Sequence, residues 1–281
     1  MNLIITIAVL ITCHNRKEKT LQCLQALFRQ KGLDSFYLFE VFLVDDGCTD
    51  GTPEAVSLDF PQVIIIQGNG KLYWNRGMYL AWETAAVSKD FDYYLWLNDD
   101  TFLFENGLET LLIKVFSESI VCGVTRASIN GTATYGGFLT KNKKLLTPNG
   151  SYQNIDYCNG NCVLIPRKVF ECLGNLDPLF QHALGDFDYS LRARKKGVEI
   201  KVAPEFAGLC ESHETIPKWR SNSLNVIDRL KNLYTPLSGC YPPEYFVFDK
   251  RHNGLFEACL HYFTIHLRCI FPFIWQWNNC K

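Results

Sequence analysis

The chain has 281 residues, 47% of them hydrophobic and 20% charged, which suits one large globular domain or a domain with an appendage. A formal net charge of -1 offers nucleic acid no bulk attraction, so an anionic small ligand has to be held by local features. The 12 cysteines are scattered singly with no C-x-x-C, and Cys158 and Cys162 lack a histidine partner at zinc spacing. That pattern predicts thiols in a reducing compartment over a disulfide framework, and makes a structural zinc the weaker reading.

Residues 1–12 are apolar but lack a basic leader and a small-residue cleavage site, so they do not read as a signal peptide. They are also too short to span a bilayer; a buried first strand over residues 4–12 is expected, with the cytoplasm as default location. It ends at Cys13-His14-Asn15-Arg16. Residues 18–30 repeat Leu21, Leu24, Leu27 and Phe28 at helical spacing. A second strand over 38–44 stops at Asp45-Asp46-Gly47. Thr52 is expected to cap a short helix with Pro53 at its first position. Strand three covers 63–67, a second amphipathic helix 75–88, and strand four 93–97, which ends at Asn98-Asp99-Asp100.

Strands alternating with helices predict an α/β fold with a mostly parallel sheet. In such sheets ligands sit beyond the carboxyl ends of the strands. Three of these ends carry polar clusters here: residues 12–16, Asp45-Asp46, and Asn98 to Asp100. Beyond Thr101 the pattern loosens. Residues 105–116 read as helix, 121–138 as short strands broken at Gly136-Gly137, 141–154 as polar loop, and 159–166 as a further strand. Residues 186–196 read as a helix closed by Gly197, and 198–203 as a last strand. Residues 254–277 are rich in aromatic and aliphatic side chains but hold Glu257, His261, His266 and Arg268, which argues against a membrane span. Two readings stand: a helix in the membrane interface, where Trp275 and Trp277 would suit, or a helix packed on the core or against another copy.

Two motifs carry chemistry. In Asn98-Asp99-Asp100, oxygen-bearing side chains on a turn after a strand can face one hard cation and leave positions open for diphosphate oxygens; an ordinary polar turn is the alternative. In the segment Val44-Asp45-Asp46-Gly47-Cys48-Thr49-Asp50-Gly51-Thr52, a strand-end carboxylate can accept from a base N–H, and Gly47 admits a close backbone approach. With Thr12 to Arg16, with Asn69-Gly70 and Trp74-Asn75-Arg76-Gly77, and with Gly185-Asp186-Phe187-Asp188 and Leu191-Arg192, these motifs resemble family 2 glycosyltransferases of the GT-A fold. The likeness runs over residues 3–214. It is nearest the bacterial branch that includes rhamnosyl- and galactofuranosyltransferases, through the Asn-Arg-Gly segment and the Asn-Asp-Asp form of the metal motif.

The resemblance implies a GT-A, Rossmann-like, mostly parallel sheet flanked by helices, with a C-terminal helical appendage. It divides the chain into a GT-A domain, 1–215, and an aromatic-rich helical extension, 216–281. Within the domain, 1–101 is the nucleotide-binding half and 102–215 the acceptor and catalytic-base half. It implies an inverting transfer from a UDP- or dTDP-linked donor to a saccharide or lipid-linked saccharide, in bacterial cell-surface polysaccharide or glycolipid synthesis, with Mg²⁺ or Mn²⁺ as cofactor. A cytoplasmic enzyme, peripheral on the inner face of the membrane through its C-terminal segment, would follow. By the same resemblance Thr12, Asn15, Asp45 and Asp46 fall on the nucleotide sugar, with Asp46 on the base. Asn75 approaches the donor, Lys71 and Arg76 offset diphosphate charge, and Asp99 faces the donor sugar. Asn98 and Asp100 take the outer metal positions, Asp100 as principal ligand, and His213 lies near the metal or diphosphate. Asp186 matches the catalytic base and Asp188 is the second choice; absent the resemblance, both read as carboxylates favoured at a helix N-terminus. Gly185 stands where the family carries glutamate. His14 reads as pocket lining, and Tyr73 and Trp74 as stacking platforms or core.

Three other readings compete. A sugar-nucleotide nucleotidyltransferase or a dinucleotide oxidoreductase would carry a glycine-rich loop after strand one, where no glycine occurs before Gly32. An inactive relative that binds a nucleotide sugar or scaffolds a polysaccharide assembly complex is favoured by Gly185 alone.

Overall fold

The computed structural model describes residues 4–33, 37–114, 116–141, 143–212 and 216–273. The first half alternates strand and helix: β1 Ile5–Cys13, α1 Lys17–Phe28, β2 Tyr37–Asp45, α2 Thr52–Asp59, β3 Ile64–Gln67, α3 Tyr73–Ser88 and β4 Tyr93–Leu97. Strands β4, β1, β2 and β3 lie side by side in that order, all parallel. The second half adds β5 Phe102–Leu103, α4 Gly107–Leu112, β6 Ser119–Arg126, β7 Ala133–Tyr135, β8 Gly137–Leu139, β9 Lys144–Leu145, β10 Gln153–Ile155, β11 Tyr157–Cys158, β12 Cys162–Pro166, α5 Arg167–Leu173, α6 Gly185–Lys195 and β13 Glu199–Leu209. Strand β12 runs antiparallel between β4 and β6, while β6 and β13 are parallel. The result is the expected α/β fold, a mostly parallel central sheet flanked by helices. Strands β11, β8 and β9 form a small separate sheet.

Side chains alternate across a strand, and β1 shows why it has no polar alternation. Ala8 and Leu10 enter a core on the α3 side with Trp82, Trp96 and Tyr189; Ile7, Val9 and Ile11 enter a second core on the α1 side with Leu24 and Leu27. Both faces are covered, so an unbroken apolar run results.

Several expected boundaries move. Thr52 is not the cap of α2: Gly51, with φ 78°, takes that place, because Asp50 accepts from the Thr52 N–H and hydroxyl and draws the turn one residue earlier. The helix expected over 105–116 shortens to α4. The expected loop over 141–154 holds β9 and most of β10. The last strand runs on to Leu209, because its far end pairs with β5.

The extension folds as α7 Val226–Leu233, α8 Pro242–His252 and α9 Leu255–Ile270 around its own small core of Trp219, Leu233, Ile265 and Cys269. Among the described residues no helix is long and apolar enough to cross a membrane, and the described cysteines are unpaired thiols. Trp275 and Trp277 lie outside the described residues.

Candidate active site

The three polar clusters end three adjacent parallel strands, with Cys13 level with Asp45 across the β1–β2 pair. They therefore meet at one sheet edge. There they line a crevice of ≈820 Å³, closed by residues 159–161, by 182–184 with Asp186 and Phe187 at the head of α6, and by Leu237, Gly239 and Tyr245 of the extension. Asn15 (φ 51°), Tyr73 (φ 58°) and Leu184 (φ 71°) hold left-handed backbone beside it. Strain of this kind, on the order of 1–3 kcal/mol per residue, gathers at functional sites.

The loop that enters α3 is held to β2 by one side chain. Asp46 Oδ1 accepts from Gly70 N (2.8 Å), and Oδ2 accepts from Leu72 N (2.9 Å) and Tyr73 N (3.0 Å). The approach is close enough that a Cβ on Gly47 would lie 2.9 Å from Gly70 Cα. Asp46 thus lines the crevice while its carboxylate fastens the loop. Asp45 turns away: Oδ1 accepts from Cys48 N (2.7 Å), and its ligand atom lies within 4.8 Å of the Cys13 and Cys48 sulfurs. Asn15 accepts from Thr49 N (2.7 Å) and is absent from the lining.

Asp99 and Asp100 are both 4% exposed. The Arg16 guanidinium bridges them, Nη1 to Asp99 Oδ1 at 2.9 Å and Nη2 to Asp100 Oδ2 at 2.6 Å. Burial pushes the Asp99 carboxyl up to about 7, against the opposing pull of Arg16. Asp99 Oδ2 is buried with no hydrogen-bond partner. An orphaned carboxylate oxygen beside a second carboxylate suits a hard divalent cation, so the residues present fit one. Asn98 lines the crevice beside both carboxylates; its Oδ1 accepts from Trp74 Nε1 at 2.6 Å, which occupies one of that oxygen's two lone pairs. His213 lies outside the described residues.

Asp186 faces the crevice from the first turn of α6. Its Oδ2 accepts from Gly160 N (2.9 Å) and its Oδ1 from Phe187 N (2.8 Å). Burial outweighs these bonds and raises its carboxyl to about 6. Asp188, the second choice for base, is not brought to the site. It is wholly buried between α6 and the extension, bonded to Arg192 of its own helix (2.8 Å) and to Arg251 (2.7 Å) and His252 (2.8 Å) of the extension. Burial pushes its carboxyl up, but these partners prevail and hold it below the ordinary range.

The Asn-Arg-Gly segment serves structure. Asn75 Nδ2 donates to Asp177 O (2.8 Å) and Phe180 O (2.7 Å), and Arg76 Nε donates to Pro178 O (2.8 Å). A Cβ on Gly77 would overlap Thr12 Oγ1, so glycine is what lets α3 seat on the end of β1. Neither Asn75, Arg76 nor the exposed Lys71 lines the crevice, whereas Thr12, His14, Tyr73 and Trp74 do. Gly185 has a local cause as well: a Cβ there would fall on Asn75 Oδ1.

Sequence reasoning missed Arg16, His182 and the Leu237–Tyr245 wall. Arg16 belonged to a cluster already singled out, and its place opposite two carboxylates was an available signal. His182, whose imidazole is pushed below its ordinary pKa by burial and whose Nδ1 has no partner, follows no strand and carried no signal. The wall comes from a segment with no motif.

No curated protein matches the chain. Among solved structures it is similar to the mannosyltransferase PcManGT from Pyrobaculum calidifontis in complex with GDP-Man and Mn²⁺ (TM-score 0.52, 18% identity, 95% of this chain and 72% of that one). It is also similar to S. aureus TarS 1-349 in complex with UDP (TM-score 0.55, 13% identity, 73% and 59%). A third likeness is to GalNAc-T7 with UDP, GalNAc and Mn²⁺ (TM-score 0.54, 15% identity, 90% and 55%). The chain thus spans less than two thirds of the last two, and at these identities the likeness is one of fold. The family model Glycosyl transferase family 2 matches residues 8–174, well over half of the sequence and all three strand-end motifs, so the chain belongs to glycosyl transferase family 2.

Proposed function

We propose that this protein transfers a hexosyl group from a nucleoside diphosphate donor to an acceptor hydroxyl, in one displacement with inversion at the anomeric carbon. The observation that carries this reading is the convergence of two separate carboxylate sites, Asp99-Asp100 and Asp186, on one crevice. A raised carboxyl suits a general base, because a base is most effective when its proton affinity lies near the working pH. Asp186 takes the acceptor proton, oriented by the N–H groups of Gly160 and Phe187. The acceptor oxygen then attacks the anomeric carbon as the bond to the diphosphate breaks. Asp99 and Asp100 would hold Mg²⁺ or Mn²⁺, which when bound supplies charge stabilisation for the departing diphosphate. Thr12 and the backbone around Asp46 form the floor for the nucleoside.

A UDP- or dTDP-linked donor is proposed; the UDP complexes among the fold neighbours support the first, and the GDP-Man complex adds guanine to the bases worth assaying. The aromatic and apolar wall of Leu237 and Tyr245 supports a saccharide or lipid-linked saccharide acceptor, as in bacterial cell-surface polysaccharide or glycolipid synthesis. Phe256, Leu260, Phe263 and Ile270 form an exposed apolar stripe along α9, which supports peripheral attachment to the cytoplasmic face of a membrane. Gly185, the one feature that favours the inactive reading, has a local packing cause in Asn75, and the assay below decides between enzyme and binder.

The test is release of nucleoside diphosphate and transfer of sugar from UDP-, dTDP- and GDP-linked donors with Mn²⁺. Asp186→Asn should bind donor as the wild type does and lose transfer by ~10²–10⁴-fold, the scale of general-base removal. Wild-type turnover by Asp186→Asn would remove Asp186 from the mechanism.

A further inference from the structure

Arg16 stands in the place of a cation. Its guanidinium spans both carboxylates of the acidic pair, and its side chain is 35% exposed to the crevice while theirs are almost fully buried. Two adjacent buried carboxylates repel each other and need positive charge nearby. Asp100 Oδ1 faces the Cys210 thiol at 3.7 Å, and Lys19 pairs with Glu211 at 3.6 Å, so Arg16 is the cation in direct contact with the pair among the described residues. A divalent ion entering between Asp99 and Asp100 would meet this guanidinium as a like charge. The one carboxylate oxygen of the pair with no partner is Asp99 Oδ2, which gives such an ion a foothold and no complete seat.

Building on the proposed use of this crevice for a diphosphate donor and a divalent cation, we propose that Arg16 is a latch on the acidic pair. It neutralises Asp99 and Asp100 in the empty enzyme and lets the cation in only when a diphosphate offers the guanidinium another anion. A planar guanidinium serves this purpose, because the same two-pronged face matches a carboxylate and a phosphate. The cation and the nucleotide then bind with positive coupling, and linkage makes the coupling reciprocal. Arg16 acts here as a positioning residue.

Free Mn²⁺ measured by electron paramagnetic resonance reads this without turnover. The wild type should bind Mn²⁺ weakly alone and about tenfold tighter or more with saturating UDP or GDP, the ordinary range for such coupling. Arg16→Gln should bind Mn²⁺ alone about tenfold tighter than the wild type, and the nucleotide should tighten it by a smaller factor than in the wild type, because only direct coordination by the diphosphate then remains. Arg16→Lys, which reaches one carboxylate at a time, should fall between them. Equal Mn²⁺ affinity of the wild type and Arg16→Gln without nucleotide overturns the latch and leaves the metal site standing. Mn²⁺ affinity of the wild type that ignores the nucleotide overturns it also, whether or not the variants fold. No Mn²⁺ bound by any of the three, with nucleotide present, would instead sink the divalent-cation reading of the crevice, and the latch with it.

Discussion

Asp186 shows how one side chain can be pulled two ways. Its seat in the first turn of α6 and its two backbone donors favour the charged form. Burial opposes them and prevails, which places the carboxyl at about 6 against an ordinary 3.8. The charged form is the base, so kcat/KM should rise with pH through about 6 and level off above it. A pH–rate profile that is flat from pH 5 to 8 would show that another group accepts the proton. The linkage has the opposite sign. Between about 4 and 6 the folded state binds this proton more tightly than the unfolded chain, so its contribution to stability is full below that range and lost as pH rises through it. The sequence marks Asp186 through its resemblance to the family motif, and offers Asp188 as the second choice. Only the packing separates them: on one helix, two residues apart, one side chain meets the crevice and the other meets Arg251 and His252. Spacing along a chain does not say what will be brought against each side of a helix.

The elements of the nucleotide half are legible because each has a local cause. Strands β1, β2 and β4 are apolar on both faces and stop at polar clusters, and β1 places them side by side. The second half is less legible, because its short strands are defined by partners far away in sequence, as when β13 continues to Leu209 to meet β5. Contacts between helices hide in the same way. Asn75 on α3 binds carbonyls 102 and 105 residues distant, and its oxygen occupies the space where a Cβ of residue 185 would stand. That coupling is measurable by a double-mutant cycle. Gly185→Ala should destabilise the wild type by ~1–3 kcal/mol, as overpacking does, and by distinctly less in an Asn75→Gly background. The coupling should fall in the 0.5–3 kcal/mol range of contacting residues, roughly. Additive chemical-denaturation energies would show that these two positions do not share the space.

At the scale of the whole molecule, the extension is part of the site. It has its own small core, yet Leu237 and Tyr245 wall the crevice, and Asp188 anchors α8 to α6 through Arg251 and His252. The aromatic composition left a helix in the membrane interface and a packed helix both open, and nothing in the sequence said which surface it would cover. The outer stripe of α9 sets a further expectation: the protein should sediment with anionic phospholipid vesicles, and Phe256→Ser with Phe263→Ser should abolish this without lowering turnover of a soluble acceptor. Wild-type protein that stays in the supernatant would end the membrane assignment. The central claim is that the acidic pair and the crevice around it grip a diphosphate through a divalent ion. Thermal unfolding with UDP, dTDP or GDP, with and without Mn²⁺, tests it most directly, since a ligand that binds only the native state raises the midpoint. A midpoint that rises with nucleotide and Mn²⁺ together in the wild type, and stays unmoved in Asp100→Ala, is the expected result; an equal rise in Asp100→Ala, or no rise in the wild type with any of the three nucleotides, would contradict it.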